Sequence, residues 1–236
     1  MRDPHESLGD FLFGFFGYGS LTAPTWFIGP EEAGANTVEG LLSRVAAWDA
    51  LNRVPIVDIY DYGAKLGSTA IFEPGAAPQP TWRRLIEIAL LLEGSEPTGD
   101  AIRGYQYERL GRRDGGILLA ELMPCAKPSI SSWPYAELSS SYPFLASLNT
   151  YNDTVRPRRV ELLSKMLRDN RPQRVVFYGV SDGVAEAYEQ IAGVELRDID
   201  GDYRVGSNGA TEFVAIKHPN ARGKSRAYFL DAAALL

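Results

Sequence analysis

The sequence predicts an α/β fold, a three-layer sandwich in which a mostly parallel central sheet of about four strands is flanked by helices. Short buried runs of β-branched and aromatic residues alternate with segments of helical periodicity along the chain. Such alternation produces parallel strands with helices on both faces. The chain has 236 residues, 45% of them hydrophobic. We therefore expect a single domain over residues 1–236, with residues 1–24 as an N-terminal extension.

The predicted strands are short apolar runs bounded by turn signals. The first is Thr25-Trp26-Phe27-Ile28-Gly29, an aromatic and β-branched run that ends in glycine. Further strands are predicted at residues 116–122, 174–179, 194–199 and 212–217. In a parallel sheet, ligands bind at the carboxyl ends of the strands. The loops after residues 29, 121, 179 and 217 are therefore the expected site.

The predicted helices are apolar stripes that follow a capping residue. Thr37 is such an N-cap, with Glu39 in the first turn of the helix that it begins. The predicted helices cover residues 37–51, 81–92, 100–110, 153–170, 183–191 and 224–236. Residues 123–150 form a long irregular stretch rich in Pro, Ser and aromatic side chains. These aromatics are expected to pack, and a base-stacking platform is the alternative.

Composition argues against several kinds of site. Cys125 is the only cysteine, and His5 and His218 are the only histidines. We therefore expect no metal site and no cofactor. No run of 18 apolar residues exists, so no membrane partner is expected. The acidic start and the single cysteine favour a cytoplasmic location.

Charge is unevenly distributed along the chain. The net charge is −6, but residues 101–174 carry 12 basic and 7 acidic side chains, whereas residues 1–100 carry 6 basic and 14 acidic ones. A strongly acidic protein binds nucleic acid poorly in general, because phosphate neutralisation supplies most non-specific affinity. A local basic strip can still bind DNA, and solvated helix faces are the alternative interpretation.

Two strand-end motifs in a fixed order resemble those of uracil-DNA glycosylases. Ile28-Gly29-Pro30-Glu31-Glu32-Ala33-Gly34 is similar to the first motif of that family, and Ala215-Ile216-Lys217-His218-Pro219-Asn220 to its last. Between them, Glu121 stands where the family has a strand ending in Asn. The resemblance covers about residues 25–230. It implies a DNA glycosylase that hydrolyses the bond between a flipped base and its sugar.

The same resemblance implies roles for individual residues. Glu31 or Glu32 would stabilise the sugar cation or orient water, and His218 would donate a hydrogen bond to the departing base. The implied substrate-binding residues are Gly29, Pro30, Glu121, Pro219 and Asn220. The implied phosphate-binding residues are Arg222, Lys224 and Ser225.

Glu121 departs from the family pattern. An ionised Glu only accepts hydrogen bonds. It would repel a uracil carbonyl and prefer an amino group, as on cytosine or adenine, unless it is protonated. Glu121 could instead be a buried carboxylate paired with a cation such as Arg159. His218 could likewise be a structural histidine, and Glu31 and Glu32 could simply complement a helix N-terminus.

Two other functions are open at this point. The first is a non-catalytic nucleic-acid-binding protein on the same fold, suggested by the Glu in place of Asn. The second is binding or hydrolysis of a small nucleoside-like molecule, which suits the acidic net charge. Fold likeness does not choose among them.

Overall fold

The computed structural model describes residues 3–32, 37–127 and 132–236. Within these ranges the helices α1–α8 are Pro4–Gly14, Val38–Ala50, Ile59–Lys65, Pro80–Leu92, Gly99–Glu108, Leu148–Asn170, Asp182–Ala192 and Arg226–Ala233. The strands β1–β8 are Gly17–Gly19, Thr25–Glu31, Ile56–Val57, Ile117–Met123, Arg174–Tyr178, Arg197–Ile199, Tyr203–Ser207 and Glu212–Ile216. No helix in the described ranges has the length and apolar character needed to cross a membrane.

The strands form one mixed sheet in the order β3-β1-β4-β2-β5-β8-β7-β6. The four central strands, β4, β2, β5 and β8, run parallel to one another. The flanking pairs β1–β4, β7–β8 and β6–β7 are antiparallel. The α/β class is confirmed, whereas the prediction of about four mostly parallel strands is wrong. Strands β1 and β3, of three and two residues, are too short for their apolar pattern to be recognised.

The parallel strands form the centre of the core because they are apolar on both faces. Trp26, Phe27 and Ile28 of β2 have no exposed surface. Helix α6 packs on β4 and contacts α1 and α7. Helix α4 contacts α5 and α8, and α8 packs on β8. The β2 strand also continues to Glu31, beyond the predicted strand end at Gly29.

The predicted N-terminal extension contains two elements of the fold. Helix α1 buries Leu8, Phe11 and Leu12, and β1 lies between β3 and β4 in the sheet. At Gly17 (φ 146°), a Cβ would lie 2.0 Å from the main-chain oxygen of Leu119. Glycine therefore allows β1 to lie this close to β4.

One fully buried cation joins α1 to β4. Arg159 of α6 has no exposed surface. Its guanidinium donates to the main-chain oxygens of Glu121 (2.7 Å), Leu122 (2.9 Å), Leu12 (3.3 Å) and Phe15 (2.5 Å). Burial lowers the pKa of Arg159 to about 9, so the side chain remains charged at neutral pH. The charge is balanced by oriented carbonyl dipoles.

Candidate functional site

Four parallel strands bring the predicted residues to one edge of the sheet. Glu31 ends β2, Tyr178 ends β5, and His218 follows β8 by two residues. Glu121 of β4 is the register partner of Gly29 in β2. Because carboxyl ends of parallel strands lie at the same edge, these side chains converge.

A cavity of about 450 Å³ lies at this edge. It is lined by Tyr18, Glu31, Glu32, Arg44, Ile59, Tyr62, Gly63, Leu66, Ser68, Ile71, Phe72, Gln79, Thr81, Trp82, Leu119, Glu121, Tyr178, His218 and Asn220. We call it the first cavity. Four of the predicted site residues that line it can ionise: Glu31, Glu32, Glu121 and His218. Phe72 and Trp82 form an aromatic wall, with stacked rings 5.8 Å apart. A cavity that combines apolar walls with a few polar groups is typical of small-ligand sites.

The carboxyl group of Glu121 is incompletely hydrogen-bonded. The Tyr178 hydroxyl donates to Oε1 at 2.7 Å. The other oxygen, Oε2, is buried and has no hydrogen-bond partner within the described chain. Burial, with the nearby carboxylates of Glu32 and Glu31, raises the pKa of Glu121 to about 8. The group is therefore mostly protonated at neutral pH.

The alternative prediction, that the carboxylate of Glu121 pairs with Arg159, is wrong. Arg159 donates to the main-chain oxygen of Glu121, not to its carboxyl group. Among the ion pairs of residues 3–32, 37–127 and 132–236, none involves the Glu121 carboxylate. The guanidinium is directed instead toward the ends of α1 and β4.

Two glycines make the close approach of these strands possible. A Cβ on Gly29 would lie 2.3 Å from the Tyr178 ring and 2.4 Å from Oε2 of Glu121. Gly179 has a φ of 77°, and a Cβ there would lie 3.0 Å from the ring of Pro30. Gly29 therefore supports the site sterically, by leaving room for Tyr178 and Glu121.

The two adjacent acids, Glu31 and Glu32, have different environments. Both oxygens of Glu32 are occupied, Oε1 by the Tyr18 hydroxyl and Oε2 by the Arg44 guanidinium. Glu31 forms an ion pair with Lys127 at 3.0 Å. Burial raises the pKa of Glu31, and Lys127 partly opposes that rise. Glu31 is the more available proton acceptor of the two.

His218 is held in a defined tautomer. Its Nδ1 accepts the main-chain N–H of Asn220 at 3.1 Å. A neutral imidazole that accepts at Nδ1 carries its proton on Nε2. Burial lowers the pKa of His218, which favours this neutral form. The Asn220 amide donates to Thr81 at 2.9 Å, at the start of α4, and the intervening Pro219 is buried.

A second cavity of about 620 Å³ adjoins the first. Both cavities include Glu31, Glu32 and His218 in their lining. The residues found only in the second are Pro30, Leu122, Met123, Lys127, Leu148, Asn152, Arg156, Gly179, Val180, Ser181, Gly183, Val184, Lys217 and Ala221. Three of these are cations: Lys127, Arg156 and Lys217. The second cavity is therefore basic where the first is acidic and aromatic.

The predicted phosphate-binding residues lie outside the lining of both cavities. Lys224 pairs with Asp202, and its ammonium lies 4.6 Å from the centre of the Tyr228 ring. Ser225 is the N-cap of α8 and accepts from the main-chain N–H of Tyr228 at 3.3 Å. Arg222 is exposed. Lys224 and Ser225 thus take part in local interactions of the fold.

The sequence analysis did not identify several residues of the site. Tyr178 is the last residue of a strand that had been predicted, so the strand-end rule could have found it. Tyr18 lies in β1, which was not predicted. Arg44 of α2 reaches Glu32 only through the tertiary fold. By contrast, Trp133 and Tyr135 of the long irregular stretch line neither cavity and pack edge to face, as expected for that stretch.

Comparison of the chain with protein-family models, with curated proteins and with solved structures found no match. The likeness to uracil-DNA glycosylases therefore stays a prediction from the strand-end motifs, and a function has to be argued from the geometry of the two cavities.

Proposed function

We propose that the protein hydrolyses the bond between a nucleobase and its sugar. The observation that carries this proposal is the junction of the two cavities at Glu31, Glu32 and His218. A base in the first cavity and a sugar–phosphate in the second would place the connecting bond beside these three side chains.

His218 is suited to assist the departure of the base. The base leaves with the electron pair of the C–N bond, so negative charge develops on its carbonyl oxygens. A neutral imidazole with its proton on Nε2 donates a hydrogen bond to such an oxygen and strengthens that bond as the charge grows. The fixed acceptor role of Nδ1 sets this tautomer.

Glu31 is the preferred general base for the attacking water. The oxygen of the water bonds to the sugar carbon, and Glu31 takes a proton from the water. A carboxylate with a raised pKa is a better base than an ordinary one, and burial raises the pKa of Glu31. Glu32, with both oxygens occupied, would instead stabilise the positive charge on the sugar.

The second cavity favours a phosphate-bearing substrate. Lys127, Arg156 and Lys217 line it, and cations at such positions contribute most of the affinity for a nucleic-acid backbone. The Nε atom of Arg156 is buried and has no hydrogen-bond partner within the described chain. DNA is therefore the first candidate for the polymer.

A free nucleoside is the second candidate substrate. The two cavities, about 450 and 620 Å³, are within the range of small-molecule sites. The net charge of −6 also weakens association with a polyanion.

Base release tests the proposal. The substrates are oligonucleotides that contain uracil, hypoxanthine or xanthine, with an abasic control, beside the matching free 2′-deoxynucleosides. We expect His218→Ala and Glu31→Gln to slow release by about 10²–10⁴-fold, whereas His5→Ala, a change in the other histidine, keeps the wild-type rate. If His218→Ala released the base at the wild-type rate, the assigned mechanism would be excluded. Salt-dependent DNA binding without release would support a binding role instead.

A further inference from the structure

The carboxyl group of Glu121 is the buried polar group of the first cavity with the clearest unused hydrogen-bonding capacity. It lines the cavity, accepts one hydrogen bond from Tyr178 at Oε1, and has a buried Oε2 without a partner within the described chain. Buried polar atoms in folded proteins are nearly always hydrogen-bonded, so such an atom at a cavity indicates a ligand contact.

Burial and the neighbouring acids raise the pKa of Glu121 and favour its neutral form, whereas the Tyr178 hydroxyl and Arg159 oppose that rise. The titratable and charged side chains that act on it or share its cavity are Tyr178 of β5, Glu31 and Glu32 at the end of β2, Arg159 of α6, Arg44 of α2, Tyr18 of β1, Tyr62 of α3 and His218 after β8. Two are acids, which disfavour a further negative charge. Arg159 donates to main-chain oxygens, and Arg44 pairs with Glu32. The carboxyl itself receives only a neutral phenol hydrogen bond.

In the neutral form of Glu121, the hydrogen bond from Tyr178 determines which carboxyl oxygen carries the proton. Oε1 accepts from the Tyr178 hydroxyl, so the acid proton lies on Oε2. A protonated carboxyl is one O–H donor. The neutral carboxyl of Glu121 therefore offers a donor where an ionised carboxylate would offer an acceptor.

We propose that Glu121 selects the base by donating its Oε2 proton to a carbonyl oxygen, so that keto bases are bound in preference to amino bases at neutral pH. This inference rests on the proposed function, because it assumes that a nucleobase occupies the first cavity. It reverses the preference for amino bases expected of an ionised Glu121. An amino group facing the neutral acid would leave two donors opposed and unpaired.

The same geometry sets a pH limit on the preference. When the pH rises above the Glu121 pKa of about 8, the carboxyl loses its proton and becomes an acceptor. Keto bases should then bind less tightly and amino bases more tightly. A glutamine at this position has no proton to lose, and its amide keeps a donor at every pH.

Equilibrium binding of two matched nucleoside pairs tests the proposal. The pairs are 2′-deoxyuridine with 2′-deoxycytidine, and 2′-deoxyinosine with 2′-deoxyadenosine, each keto against amino. Calorimetry at about pH 7 and about pH 9, on either side of the Glu121 pKa of about 8, would use wild type, Glu121→Gln and Glu195→Gln. Glu195 is exposed and provides the same chemical change away from the cavity. The pH comparison uses the amino nucleosides, whose rings keep one protonation state over this interval.

At pH 7 we expect wild type to bind each keto member about tenfold or more tightly than its amino partner. Raising the pH should tighten amino binding by wild type and Glu195→Gln, and leave Glu121→Gln unchanged. The inference would be overturned, with the proposed function intact, if wild type preferred the amino nucleosides at pH 7 or showed no preference. It would also be overturned if amino binding by Glu121→Gln changed with pH as much as that of wild type. Failure of wild type to bind any of the four nucleosides would also overturn the inference, whereas the proposed function would be overturned only by the absence of base release from every oligonucleotide and nucleoside. The wild-type comparison at pH 7 does not depend on the folding of a variant.

Discussion

Glu121 of β4 and Arg159, which packs against the end of that strand, carry buried ionisable groups, but their hydrogen bonding differs. Arg159 donates to four main-chain oxygens at the ends of α1 and β4. The Glu121 carboxyl accepts one hydrogen bond and keeps an oxygen without a partner within the described chain.

This difference in hydrogen bonding distinguishes a residue that holds the fold together from a residue that can bind a ligand. A buried charge that is well satisfied by the protein holds elements together, and its loss leaves several carbonyls without a donor. A buried group that is only partly satisfied and lines a cavity has capacity for a ligand. The difference in hydrogen bonding therefore supports a stabilising role for Arg159 and the proposed recognition role of Glu121.

The largest expected effect is on stability at Arg159. Arg159→Met should lower the free energy of unfolding by at least about 3 kcal/mol, because four buried main-chain oxygens lose their donor. Arg158→Met is the matched control, since Arg158 is its exposed neighbour in α6, and it should cost less than about 0.5 kcal/mol. Urea denaturation measures both. Equal losses in the two variants would contradict the scaffold role.

The next effect concerns the pH dependence of stability. The pKa of Glu121 is about 8 in the folded chain and near 4.5 when unfolded. The folded state therefore binds more protons between these values, and stability falls as pH rises through the interval. The slope from this group is at most about 1.4 kcal/mol per pH unit.

Glu121→Gln should remove that slope, whereas Glu195→Gln should keep it. Denaturation curves collected across the interval measure the difference. If the free energy of unfolding depended on pH in the same way in wild type and Glu121→Gln, Glu121 would have the ordinary pKa of an exposed carboxyl group.

The smallest expected effect is at Tyr178. Its hydrogen bond lowers the pKa of Glu121, in opposition to burial. Tyr178→Phe should cost about 1 kcal/mol of stability and move the upper end of the Glu121 titration to higher pH. The same denaturation series measures this shift. An unchanged Glu121 titration in Tyr178→Phe would mean that the Tyr178 hydroxyl does not donate to the carboxyl.

Much of the fold was predictable from local pattern. The five predicted strands correspond to β2, β4, β5, β6 and β8, because long buried runs are recognisable without tertiary information. Strand β7 was missed, although Asp200 and Gly201, with φ of 54° and 73°, form the tight turn that joins it to β6. An Asp-Gly pair is a known hairpin signal. The short strands β1 and β3 offered no such signal.

Part of the site's membership was predictable from the sequence, but its chemistry was not. The strand-end rule brought Glu31, Glu32, Glu121 and His218 together, and they share one cavity. The rule could not assign Arg44 to Glu32 or Tyr178 to Glu121, because both pairs join distant segments. It also could not show that Lys224 and Ser225 are engaged elsewhere.

The sequence by itself determined the α/β class and the convergence of three acids and one histidine, because periodicity and strand direction are local properties. The tertiary structure alone decided the protonation of Glu121, the tautomer of His218 and the different availability of Glu31 and Glu32. These depend on burial and on contacts between residues far apart in the chain, and charge in a protein interior is set by such surroundings.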